Sequence, residues 1–166
     1  MRTMKPVAHS MKRVIAFALA AGCAGASAFA SPPTGSVTPT TYSTAIYDHE
    51  ELYNNDRIKL QTKDATAIRE QKLDFAPGSS TGWHHHPGIV LVTVASGTLT
   101  VVDGNCATKD YGPGSSNGQV FVESDDHAHE ARTSGGAVAY VTYLVPGDGT
   151  PIFRVEEPIP FCAQQH

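Results

Sequence analysis

The sequence predicts an all-β fold, a sandwich or barrel in one domain. Three observations predict it. Short runs rich in Val, Thr and aromatic residues recur along the chain. Turn signals separate them at short, regular spacing. Gly and Pro are frequent, 15 and 11 in 166 residues, and such punctuation favours short strands and turns over long helices. The chain shows no heptads, no internal repeat and no second domain.

Residues 1–30 read as an export signal. Lys5, Lys12 and Arg13 form a basic lead, Val14–Leu19 begin an uncharged apolar run, and Ala28-Phe29-Ala30 fits the small-x-small rule for cleavage after Ala30. The apolar part is short and rich in Ala and Gly, which argues against a membrane span; an uncleaved anchor is the competing reading. Ala20-Ala21-Gly22-Cys23 resembles a bacterial lipobox, with lipidation of Cys23 as a further alternative. The expected location is secreted or periplasmic. Residues 31–44 are uncharged and rich in Ser, Thr and Pro, which predicts a flexible tether, and residues 45–166 form the folded domain with its tail.

Within that domain, 47–59 is ambiguous between a short helix and an edge strand. Residues 65–75 alternate loosely and predict a strand, and Ala76–Gly82 predicts a turn. Residues 89–95 are almost wholly apolar, which predicts a strand buried on both faces. Strands are also expected at 98–102, 119–123, 127–133 and 137–145. Residues 103–118, with Gly104, Gly112, Gly114 and Gly118, predict a long loop, and Pro151, Pro158 and Pro160 an irregular tail.

The whole chain has a net charge of -4 and a sequence pI of about 6.0. The leader carries four basic residues and no acid, so its removal leaves 8 basic and 16 acidic side chains, a net charge of -8. That balance argues against a nucleic-acid partner, which would need a basic footprint. Apolar residues, at 40%, are too few and too scattered for a polytopic membrane protein, so no membrane span is expected in the mature form. Of three Cys, Cys106 and Cys162 remain after cleavage. An even pair in an oxidising compartment predicts a disulfide between them, with Cys106 exposed after the Asp103-Gly104-Asn105 turn.

Histidine is the anomaly. In the extended stretch Trp83-His84-His85-His86-Pro87-Gly88, side chains alternate, so His84 and His86 share one face and His85 takes the other. Two neutral imidazoles at that spacing can chelate one ion, and nitrogen donors suit transition metals rather than Ca or Mg. Asp125-Asp126-His127-Ala128-His129 offers a second pair. Glu123, Asp125, Asp126 and Glu130 could supply a general base, with a solvated acidic rim as the competing reading. Tyr140 and Tyr143 lie on opposite faces of one strand, so at most one sees the interior. Val90, Val92 and Val94 are expected to line that interior. Ser residues lack a triad context, and no glycine-rich loop precedes a helix.

These spacings resemble the two motifs of the cupin superfamily, and the pattern is similar to small exported bacterial cupin-domain proteins. The first motif is matched by Gly78, five residues, His84-x-His86, three residues, Val90, six residues and Gly97, with Val90 where the family has Glu. The second is matched in register by Gly118, Ser124, Asp126, His129 and Thr133, where Ser124, Asp126 and Thr133 replace the family's Pro, Gly and Asn. The resemblance implies a jelly-roll β-barrel, with His84, His86 and His129 as ligands of a divalent transition metal (Fe, Mn, Ni, Cu or Zn); His127, which shares a face with His129, is a rim residue or, if it turns inward, an extra ligand. Two readings follow. One is a metal-dependent oxygenase or isomerase of a small organic molecule, with catalytic residues unassigned. The other is a non-catalytic cupin that binds a small ligand or is a metal-free structural domain. A homodimer formed through barrel edges is usual for the family.

Overall fold

The computed structural model describes residues 31–124 and 126–165; the export signal and the lipobox around Cys23 lie outside them. The strands, in chain order, are β1 (Val37–Tyr47), β2 (Glu51–Asn54), β3 (Lys59–Thr62), β4 (Thr66–Phe75), β5 (His84–His85), β6 (Ile89–Gly97), β7 (Leu99–Asp103), β8 (Thr108–Tyr111), β9 (Val120–Glu123), β10 (His129–Arg132), β11 (Ala137–Pro146) and β12 (Val155–Glu156). One sheet runs β1-β4-β11-β6-β9 and the other β12-β5-β10-β7-β8, with β2-β3 as a separate hairpin. The fold is all-β as expected, and the two five-stranded sheets fit a jelly roll. Each sheet keeps its own edge strands, so the barrel is a flattened sandwich.

The first sheet shows how the sequence sets its inner face. Along β6, Val90, Val92 and Val94 are buried while Ile89, Leu91 and Thr93 are exposed. The expectation of burial on both faces is therefore corrected. An apolar run in an antiparallel sheet still alternates, and only one face meets the core. On β11, Ala137, Ala139, Val141, Tyr143 and Val145 face inward, and Tyr140 faces out. These side chains pack with Ala67, Phe75, Leu99, Val101, Phe121 and Phe153 in one core cluster between the sheets. Burying a Val side chain contributes roughly 1.5–3 kcal/mol. Gly97 ends β6 with φ +73°, and a Cβ there would lie 2.1 Å from the Gly136 carbonyl oxygen, so only glycine fits the corner.

Three further expectations are corrected. From residue 37 the tether becomes β1, paired along its length with β4; its β-branched Thr residues suit a strand even without an apolar stripe. The ambiguous 47–59 segment contributes the β2–β3 hairpin, whose turn is held by the Asn55 side chain accepting from the backbone N–H groups of Arg57 and Ile58. The 103–118 loop contains β8, paired with β7. Cys106 and Cys162 form the expected disulfide, 56 residues apart, tying the β7–β8 turn to the C-terminal 3-10 turn Phe161–Gln165. Cys106 is half-buried rather than exposed. Among the described residues no helix is long and apolar enough to cross a membrane.

Candidate metal centre

Three histidines converge between the sheets. His84 on β5 is the direct register partner of His129 on β10, and His86 follows β5 by one residue. All three are buried, at 3–4% exposure. One ligand nitrogen from each lies within 4.8 Å of the others. His85 points the other way, as alternation predicts, and its Nδ1 meets Glu157 Oε1 at 2.6 Å. His127 is exposed and stands outside the cluster. That position fits the rim reading of His127, and its backbone carbonyl, not its ring, meets His129 Nδ1.

Each clustered ring is oriented through Nδ1. His84 Nδ1 lies 2.9 Å from the Gly82 carbonyl oxygen, His86 Nδ1 2.5 Å from that of Phe153, and His129 Nδ1 2.8 Å from that of His127. A carbonyl only accepts, so each Nδ1 carries the hydrogen and donates it. In a neutral ring the other nitrogen, Nε2, is then a bare lone pair. Two of these acceptors come from two residues upstream, so the sequence sets them locally. Gly82 adopts φ +69°, and a Cβ there would meet the Ser31 carbonyl oxygen at 2.3 Å. Only glycine allows that approach.

Glu123 is not part of a solvated rim, and its place at the histidines goes beyond the general-base reading of the acidic stretch: its side chain is only 10% exposed and faces them. Its carboxylate oxygens lie 3.2 Å from His86 Nε2 and 3.2 Å from His129 Nε2. The strand pairing explains the position: Glu123 on β9 is the register partner of Val90 on β6. The acidic position of the first motif is aliphatic in this chain, and a carboxylate enters from the adjacent strand in the same row. A signal was available, because Phe121 faces the core and Glu123, two residues on, shares its face.

The electrostatics of the cluster suit a cation. Burial, then the neighbouring His129, pushes His84 down to about 2, so its ring stays neutral. Burial alone would raise the Glu123 carboxyl. The contacts from His129 and His86 outweigh it and hold Glu123 well below the ordinary carboxylate range. At His129 burial opposes protonation, but Glu123 wins and raises its pKa. His129 Nε2 nevertheless has no partner of hydrogen-bond geometry; it is close to the carboxylate without being aimed at it. Three buried lone pairs gathered within 4.8 Å, two of them beside a carboxylate, repel each other unless protons or a metal lie between them.

Beside the cluster lies a cavity of about 350 Å³. His84, His86 and Glu123 form one part of its wall, and Val92, Leu99, Phe121 and Val141 give it an apolar body. Tyr143 also faces it. Burial, reinforced by Glu123, pushes that phenol up to about 12, so it remains a hydrogen-bond donor. Trp83 is buried but does not line this cavity.

Fold and site together define an antiparallel β-sandwich that buries a three-histidine, one-carboxylate cluster beside an apolar cavity. No protein-family model matches the sequence, and no curated protein matches it. Solved structures similar to it include cupin superfamily proteins. One, a cupin superfamily protein from Desulfitobacterium hafniense, is 14% identical, with 67% of this chain and 79% of that chain covered and a TM-score of 0.47. A conserved protein of unknown function from Streptococcus pyogenes is 14% identical, covering 67% of this chain and 75% of that one, with a TM-score of 0.47. A double-stranded β-helix domain protein from Klebsiella pneumoniae is 19% identical, covering 65% and 82%, with a TM-score of 0.42.

Proposed function

We propose that the protein is an exported cupin-type metalloprotein that holds one divalent transition metal through His84, His86, His129 and Glu123. On this reading it acts on a small organic molecule bound in the adjoining cavity. The observation that carries the reading is the set of three Nδ1–carbonyl contacts, which leave Nε2 of each clustered ring free to bind, two of them 3.2 Å from a buried carboxylate. The disulfide supports export, since such bonds persist in oxidising compartments.

A bound metal would supply Lewis acidity and open coordination positions for substrate or water. Imidazole nitrogens with a carboxylate beside them would suit a divalent transition ion such as Fe, Mn, Ni, Cu or Zn. The chain's own groups have separate parts. Val92, Leu99, Phe121 and Val141 exclude water around the ligand body. The Tyr143 hydroxyl donates to a ligand oxygen. Glu123, ionised and adjacent to the cavity, either stays a ligand or accepts a proton from the bound molecule.

Elemental analysis of protein purified without a chelating step tests the reading. It should find about one transition ion per chain, lost in a His84→Ala plus His129→Ala variant that retains the wild-type far-ultraviolet dichroism. Metal-free wild-type protein that takes up no Fe, Mn, Ni, Cu or Zn on titration would overturn it.

A further inference from the structure

The cavity has a second polar feature, which the metal centre does not use. Arg69 on β4 faces inward and lines the cavity. It belongs to one register row crossing four strands: Arg69 pairs with Tyr143, Tyr143 with Val90, and Val90 with Glu123. A cation therefore stands at one end of the row and the buried carboxylate at the other. Three strand spacings separate them, about 14 Å measured along the sheet.

Arg69 is held but not neutralised. Its guanidinium carbon sits 3.5 Å from the centroid of the Phe153 ring, and its Nε donates to Thr44 Oγ1 at 3.2 Å. Phe153 is itself fixed to the metal centre, because its carbonyl accepts from His86 Nδ1. Among the described residues, the side-chain ion pairs of Lys and Arg are Lys72–Asp74, Arg132–Glu130 and Arg154–Glu156; Arg69 has none. The contrast with Arg154, on the same cavity, is informative. Arg154 donates from Nε and Nη2 to Glu156, and from Nη2 also to the Thr81 carbonyl, so its charge is already matched inside the protein. With the guanidinium stacked on Phe153 and Nε bonded to Thr44, the Nη groups of Arg69 have no acceptor among the described residues. A planar fork of that kind is matched by a carboxylate.

We infer that Arg69 is the recognition group for the carboxylate of the cavity's ligand, which makes the substrate class a small organic acid with an apolar body. The inference rests on the proposed function for what happens at the other end of that molecule, where the histidines and Glu123 stand. The carboxylate docks on Arg69, the apolar walls take the body, and the far end is presented to the metal centre. Arg69 thus sets specificity and orientation rather than performing chemistry.

Titration calorimetry with benzoate and benzamide, matched in shape and different in charge, tests this in chelator-treated protein. Wild type should bind benzoate at least about tenfold more tightly than benzamide. Arg69→Gln should weaken benzoate by about tenfold or more and change benzamide by less than roughly twofold, with Arg69→Lys between. Equal binding of the two probes by wild type, or an Arg69→Gln variant with unchanged benzoate affinity, would overturn the inference. So would a benzoate preference that arises only after metal is added, because the carboxylate would then be bound by the metal. If Arg69→Gln does not fold, the wild-type preference and the Arg69→Lys loss decide the matter. The His84→Ala plus His129→Ala variant separates the two proposals: retained, Arg69-dependent benzoate binding there upholds this one even if the metal reading fails.

Discussion

The two sheets contribute to the centre in different ways. The β5–β10 sheet supplies three nitrogens, each locked by a backbone carbonyl, and two of those carbonyls lie only two residues upstream. The facing sheet supplies Glu123, whose ion-pair contacts are the histidine rings themselves. The nitrogen half is therefore organised by short-range backbone geometry. The oxygen half is organised by strand register and by charge. Changes to the oxygen half should alter affinity and pH response while leaving the histidine rings in place.

The largest effect should come from removing the carboxylate. Glu123→Val is expected to weaken metal binding by about 100-fold or more, measured by competition with a chromophoric chelator. The companion variant Val90→Glu plus Glu123→Val returns the carboxylate to the neighbouring position of the same row, and should recover most of that loss. No recovery would mean that the row is not interchangeable and that Glu123 works through something other than its place in it.

The effect of pH is expected to be smaller and opposite in the two states. In the metal-free protein Glu123 raises His129's pKa, so this pair stabilises the fold fully below the ordinary histidine pKa of about 6.5. That stabilisation is lost as pH rises through the raised value. Metal needs the deprotonated ring, so binding strengthens over the same range. The rise in Tm on adding metal should therefore be larger at about pH 8 than at about pH 5.5. His84, pushed to about 2, takes no part in this window. Scanning calorimetry at the two pH values reads the difference, and an equal shift at both would break the assignment.

These contrasts follow what was legible in the sequence. His84, His86 and His129 could be found because alternation and motif spacing are local properties, and the same alternation assigned His85 to the opposite face. Val90, Val92 and Val94 followed from it too, although the β6 run hid its exposed face because Ile89 and Leu91 are apolar as well. Glu123 was only partly legible: sharing the face of Phe121 points it inward, but its place at the histidines depends on β9 pairing with β6 in one register, a relation between segments some thirty residues apart. β1 was missed for a related reason. Its Thr-rich sequence has no apolar stripe, and it becomes a strand by pairing with β4. Arg69 faces inward from a strand whose alternation was loose, so nothing local marked its charge as facing the cavity.

The smallest effect is expected at the histidine that alternation excludes. His85→Ala should leave metal stoichiometry unchanged and affinity within about threefold, since His85 contacts Glu157 and not the cluster. A loss comparable to that of Glu123→Val would mean that the face assignment is wrong.

The most direct test of the central claim is an anomalous-diffraction crystal structure of the metal-loaded protein. The account predicts one anomalous peak per chain, bonded to Nε2 of His84, His86 and His129, with a Glu123 oxygen as fourth protein ligand. A peak on His85 or His127, or a peak bonded to the three histidines with the Glu123 carboxylate turned away, would contradict it.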